Sequence, residues 1–196
     1  MQKKTFNLVV VLASCVFFAA ASFAVYKLLY KQSSSLITAG NSSGANVAAD
    51  IERIEPATKL PNFSFTDKNG KKRNIAEFKG KIILINFWAT WCLPCIEELP
   101  QLDQLEELFG AENLAVIPIS IDQALGVDEL KNFYKKHQIK NLAIFQDKEM
   151  RAYESINSFG IPTSVLVDRQ MRAHLKVSGY LNWLDPEFVN LINTIP

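Results

Sequence analysis

The stretch Lys81–Phe87 (KIILINF) constrains the fold more than any other part of the chain. Its apolar side chains run on without alternation, so a strand built from it must be covered on both faces. A second such run, Leu114–Ile121 (LAVIPISI), follows after a segment long enough for one helix. The spacing predicts that helix over Leu93–Phe109, closed by Gly110. Strand, helix and strand make a β-α-β unit, whose two strands share one sheet.

The later signals read as a helix over Asp128–Gln138, a short extended piece at Leu142–Gln146 and a helical turn or two in Lys148–Ser155. Thr163–Asp168 (TSVLVD) and Ala173–Val177 predict an antiparallel pair, and Asp185–Ile195 an amphipathic closing helix. Upstream, Phe63–Asp67 and Lys72–Asn74 flank Asn69-Gly70, the pattern of a hairpin. A β-α-β half followed by a ββα half predicts an α/β fold with a central mixed β-sheet flanked by helices, with an added N-terminal β-hairpin.

The N-terminus is of a different kind. Lys3 and Lys4 precede an uncharged run from Thr5 to Tyr26, which as a helix would span about 33 Å, close to the hydrocarbon thickness of a bilayer. Three readings fit: a retained signal-anchor, a signal peptide cleaved after Ser22-Phe23-Ala24, or a lipoprotein modified at Cys15. The length of the run favours the anchor, and the apolar residues after Cys15 disfavour the lipoprotein. All three export the rest of the chain. Residues 32–59, rich in Ser, Ala, Asn and Gly at the start, read as a flexible linker. The expected organisation is therefore 1–31 anchor, 32–59 linker and 60–196 domain. With 21 Lys and Arg against 20 Asp and Glu, the chain lacks the basic footprint of a nucleic-acid partner.

The chemistry centres on Trp91-Cys92-Leu93-Pro94-Cys95. Zinc needs about four ligands, and outside the pair only His137 and His174 are candidates, without ligand spacing. A purely structural disulfide would constrain little across so short a loop. A redox pair, needing neither metal nor cofactor, is the reading that remains. Cys92 falls at the helix N-terminus, where unpaired N–H groups and the helix dipole favour a thiolate. Cys95, nearly one turn on, can close a disulfide with it. Cys92 is then the nucleophile and Cys95 the resolving thiol. Cys95, Leu99, Leu102, Leu105 and Phe109 share one helical stripe, and Glu98 falls on it while Glu97 does not. A carboxyl on that buried face would have a raised pKa and could exchange protons near Cys95, unless it snorkels to the surface.

Strand, W-x-x-W-C-x-x-C opening a helix, and Ile161-Pro162-Thr163 leading a late strand resemble the thioredoxin fold. NFWATWCLPC, GIPTSVLVD, the hairpin and the N-terminal anchor resemble its TlpA/ResA-like branch of membrane-tethered extracytoplasmic thiol–disulfide oxidoreductases. The resemblance implies a cis-proline at Pro162 facing the dithiol, with Ile161 and Trp91 beside it on the client-binding surface, and Trp88 either there or in the core. It also supports Glu98 as the family's acid, since Asn86 stands where thioredoxins usually carry a buried aspartate. Leu93-Pro94 lacks the histidine of strongly oxidising relatives, which favours a reductant. The family then implies a membrane thiol electron donor and clients such as apocytochrome c or copper-site proteins, with the domain on the periplasmic side of the inner membrane. The alternatives are a disulfide oxidase or isomerase, a peroxiredoxin-like antioxidant, and a non-enzymatic copper-site assembly factor. Ala89 stands where a peroxiredoxin motif has threonine, and C-x-x-C is one residue short of the copper spacing.

Overall fold

The computed structural model describes residues 49–110 and 113–196. Strands β4 (Ile82–Trp88) and β5 (Leu114–Ser120) are buried at every position and pair in parallel, Ile82 opposite Leu114 and Trp88 opposite Ser120. Helix α1 (Leu93–Phe109) makes the crossover between them. It packs Cys95, Glu98, Leu99, Leu102 and Leu105 inward and runs unbroken through Pro100 to a left-handed Gly110, whose φ is 69°. Asp103, also inward, accepts the backbone N–H groups of Lys140, Asn141 and Leu142 at 3.0, 2.7 and 3.0 Å. That carboxylate fastens α1 to the chain that follows α2 (Val127–Lys136).

On one side of β4 lie β7 (Thr163–Val167) and then β8 (Arg172–Ser178), both antiparallel to their neighbours. On the other side of β5 lies the short parallel β6 (Phe145–Gln146). The hairpin of β2 (Ser64–Asp67) and β3 (Lys72–Asn74) joins the sheet by pairing β2 with β6. Its turn is shaped by Asp67, whose Oδ1 accepts the N–H groups of Asn69 and Lys71, and by Gly70 at φ 74°. Two further helices, α3 (Arg151–Ser155) and α4 (Pro186–Thr194), complete the flanking layers. The mixed sheet with helices around it is the thioredoxin-like arrangement expected.

The linker expected over residues 32–59 does not extend to residue 59. Asp50–Lys59 forms an additional edge strand, β1, antiparallel to β8, and the sheet order is β1-β8-β7-β4-β5-β6-β2-β3. The ordered domain thus begins by Asp50 rather than at residue 60. The hydrophobic pattern was silent because β1 is mostly exposed, and main-chain pairing holds it rather than side-chain burial. Its register shifts between Arg53 and Thr58, around a cis Glu55–Pro56 bond. An edge strand tolerates the donor that proline lacks. Among the described residues no helix is long and apolar enough to cross a membrane. The anchor expected over residues 5–26, and Cys15 within it, lie outside the described residues.

Candidate active site

Parallel strands β4 and β5 end on the same side of the sheet, and antiparallel β7 begins there, with Phe87 opposite Thr163. The loop leaving β4 therefore meets the loop entering β7. The first carries Trp91 and Cys92, the second Ile161 and Pro162, joined by a cis peptide bond. This places the cysteine pair and Pro162, 70 residues apart in sequence, at one end of two neighbouring strands.

Cys92 is the N-cap of α1, in extended conformation, and its Sγ accepts the N–H of Cys95 at 3.3 Å. That N–H has no partner within the helix, so the sulfur sits where a negative charge would be stabilised. Cys92 and Cys95 are joined as a disulfide with their Cα atoms 5.3 Å apart. Cys92 retains 6% of its surface and Cys95 none, so an incoming sulfur meets Cys92 first. Pro94 occupies the first turn, where no N–H is required of it.

Glu98 is fully buried, whereas Glu97 is exposed. One carboxylate oxygen accepts from Asn86 Nδ2 at 2.6 Å, the other from the indole Nε1–H of Trp183 at 3.0 Å. Burial raises the carboxyl to a pKa of about 7, against the pull of donors from Trp183, Asn86 and the Leu181 backbone. Asn86 Nδ2 also donates to Ser164 Oγ at 2.9 Å, and its own Oδ1 is buried without a partner. None of Asn86, Ser164 and Trp183 titrates near neutrality, so the proton held by this network belongs to Glu98. Three residues separate Glu98 from Cys95 on the helix, which puts the two side chains on adjoining turns.

A second carboxylate shapes the approach to Cys92. Asp122, buried at the end of β5, accepts the N–H of Thr90 at 3.0 Å and the Thr90 hydroxyl at 2.9 Å. The Ser120 hydroxyl donates to the same carboxylate at 2.8 Å. These bonds fix the loop two residues ahead of Cys92. Trp91 stands 70% exposed beside Cys92, while Trp88 is wholly buried against Phe133 and Tyr134 and belongs to the core. His137 stacks on Phe133 and His174 pairs with Asp168 at 2.9 Å, so both histidines have other engagements.

Sequence reasoning missed Asp122 and Trp183. Asp122 was accessible in principle, because carboxyl-terminal ends of parallel strands are where such folds place their chemistry. Trp183 carried no comparable signal, since nothing local marks it as the partner of a glutamate 85 residues earlier.

Residues 56–174 match the AhpC/TSA family. A relative from Bacillus cereus, thiol-disulfide oxidoreductase ResA, is 31% identical over 131 residues, 67% of this chain and 74% of the relative. The Bacillus subtilis ResA is 26% identical over 147 residues, 74% of this chain and 80% of its own. Among solved structures, a thiol:disulfide interchange protein of the thioredoxin family from Chlorobium tepidum aligns with a TM-score of 0.59 at 26% identity. That alignment covers 71% of this chain and 98% of the other. A dithiol set at a helix cap on this scaffold, matched over more than half the chain, makes the protein a member of the AhpC/TSA family and a thiol-disulfide oxidoreductase of the ResA type.

Proposed function

We propose that the protein is a membrane-anchored, extracytoplasmic reductant of client-protein disulfides. The observation that carries the direction is electrostatic. From Trp88 through Ile96 the sequence has no charged residue and no histidine, while two buried carboxyl groups, Asp122 and Glu98, flank the pair. A cation would stabilise the Cys92 thiolate, whereas nearby negative charge disfavours it. Less stabilisation of the reduced form lowers the reduction potential, by about 30 mV for each 1.4 kcal/mol.

In the cycle, Cys92 as thiolate attacks a client disulfide held against Trp91, Ile161 and Pro162. One client sulfur bonds to Cys92 and the other leaves as a thiolate that takes a proton from water. Cys95 then loses its proton to Glu98 and attacks Cys92, releasing the second client thiol and closing the Cys92–Cys95 disulfide. A group with a pKa of about 7 can both accept and return that proton at physiological pH. A membrane thiol donor then reduces the pair again. The family resemblance favours apocytochrome c or a copper-site protein as client, and residues 5–26 as the anchor.

The reading is tested in growing cells carrying Cys15→Ser, by acid quenching and alkylation of free thiols with a mass tag. The pair is expected to be mostly reduced. A mostly oxidised pair, with its membrane donor intact, would replace the reductase with an oxidase or isomerase. The AhpC/TSA match favours one second reading, peroxide reduction. Peroxide consumption at rates comparable to disulfide reduction would establish it, against the absence of the T-x-x-C threonine at Ala89.

A further inference from the structure

We propose that the groove between the β2–β3 hairpin and α2 docks an extended acidic segment of another protein, one with apolar side chains between its carboxylates. The inference goes beyond the disulfide-exchange reading and does not depend on it. The chain's net charge of +1 conceals a strong segregation of charge. Residues 67–73 and 131–140 are 17 residues in all, yet they hold eight of the 21 lysines and arginines and one of the 20 acidic residues. The rest of the chain is therefore net acidic.

The fold brings these two segments, far apart in sequence, onto one groove of about 730 Å³. Lys68, Arg73, Lys131, Lys135 and Lys140 line it, and Asp67 is the one acidic residue beside them. Asp67 is engaged by its own hairpin, where Oδ1 accepts the N–H groups of Asn69 and Lys71. Arg73 pairs with Glu77 at 2.6 Å and Lys131 with Asp128 at 2.9 Å. Lys68, Lys135 and Lys140 are exposed and form no ion pair among the described residues. Beneath this rim the lining is apolar, supplied by Tyr134, Ile139, Leu142 and Phe145, all of them core residues. Both walls are fixed. Thr66 Oγ1 donates to the Gln146 carbonyl at 3.2 Å, and the Tyr134 hydroxyl to the Ala143 carbonyl at 3.2 Å. The Asp103 carboxylate holds the N–H groups of Lys140, Asn141 and Leu142.

Helix electrostatics account for part of the cluster, since Lys135 and Lys136 occupy the last turn of α2 and complement its negative end. They do not account for Lys68, Lys71, Lys72 and Arg73 on the facing hairpin, nor for Lys140. Like charges gathered on one face repel, and an anion that covers them relieves the repulsion. The floor narrows the chemistry of that anion. A bilayer of anionic lipid or a polyphosphate would neutralise the rim, but neither presents apolar side chains to the floor, because acyl chains lie beneath their headgroups. An extended acidic segment supplies both, and a groove already formed loses little ordering entropy in accepting it. The groove shares no lining residue with the one beside Trp91 and Ile161, so an acidic segment and a reacting disulfide can be held at once.

The test uses the oxidised full-length protein in neutral detergent micelles and short fluorescent peptides without cysteine, titrated by anisotropy. Three peptides are compared: glutamates spaced by leucines, glutamines spaced by leucines, and glutamates spaced by serines. The Glu/Leu peptide should bind about 10-fold tighter than either of the others, and its affinity should fall as salt rises. This comparison decides the matter without any variant. Lys68→Glu, Lys135→Glu and Lys140→Glu together should weaken the Glu/Leu peptide about 10-fold. Lys59→Glu, Lys79→Glu and Lys148→Glu change the net charge equally and should weaken it less than about 2-fold. Reduction of hydroxyethyl disulfide, which tests the exchange reading separately, should be equal in all three proteins. Equal binding of the Glu/Leu and Gln/Leu peptides, or equal weakening by the two triple variants, would overturn the proposal. Tighter binding of polyphosphate, or of glycerophosphoglycerol as a lipid headgroup, than of the Glu/Leu peptide would overturn it too. So would self-association of the unmodified protein that the Lys68, Lys135 and Lys140 variant loses, because the occupant would then be a second copy of this chain.

Discussion

Replacing Glu98 by glutamine should change how stability depends on pH, in a direction that the burial of this carboxyl fixes. In the folded protein the group binds its proton with a pKa of about 7, against an ordinary value of 4.5. Between these values the folded state holds more protons than the unfolded state, so stability is highest at low pH and falls as pH rises through 7. A carboxyl raised from 4.5 to about 7 corresponds to about 3 kcal/mol in all. About 2 to 3 kcal/mol of it is lost between pH 5 and 8.5. Glutamine keeps the size and does not titrate. It brings an N–H where Asn86 now donates, and the asparagine can turn its amide over. Asn86 Oδ1, buried without a partner, would then accept it.

Urea unfolding of the oxidised proteins from pH 5 to 8.5 measures the effect, since the disulfide removes both thiols from the titration. Glu106 and Asp147, which burial also raises, titrate in both proteins and cancel in the difference. Glu98→Gln should gain on the wild type by about 2 to 3 kcal/mol across the range, and Glu97→Gln, on the exposed face, should not. A wild-type minus Glu98→Gln difference that is flat to about 0.5 kcal/mol would refute the buried, proton-binding Glu98.

Trp183→Phe removes the indole donor from Glu98, so the pKa should rise further and the loss of stability should move to higher pH; the same urea series would show an unchanged or lowered midpoint if the bond were unimportant. Asp122→Ala strips acceptors from the part-buried Thr90 N–H and the buried Ser120 hydroxyl, and should cost about 2 to 3 kcal/mol in urea unfolding. A loss below about 0.5 kcal/mol would mean that the loop ahead of Cys92 is held by other contacts. Cys95→Ser should accumulate client-linked mixed disulfides visible on non-reducing gels, and recovery of clients on Cys92→Ser instead would reverse the roles of the two sulfurs.

How much of this was legible in the sequence depends on the range over which each feature is encoded. Continuous apolar runs located β4 and β5, and helical periodicity with Gly110 located α1, because burial on both faces or on one stripe is written in neighbouring residues. The same periodicity put Glu98 on the inward face. Edge strand β1 escaped, because backbone pairing with β8 across more than a hundred residues leaves no mark on side-chain pattern. What makes Glu98 chemically distinctive escaped for the same reason. Its partners, Asn86 and Trp183, come from β4 and the turn before α4, and Ser164 at the start of β7 accepts in turn from Asn86. A sequence can announce a carboxyl in an apolar stripe, but the donors that keep it buried are chosen by the fold. The dithiol is local, written in four residues. The carboxyl proposed to exchange protons with it is held by a network drawn from β4, β7 and the turn before α4.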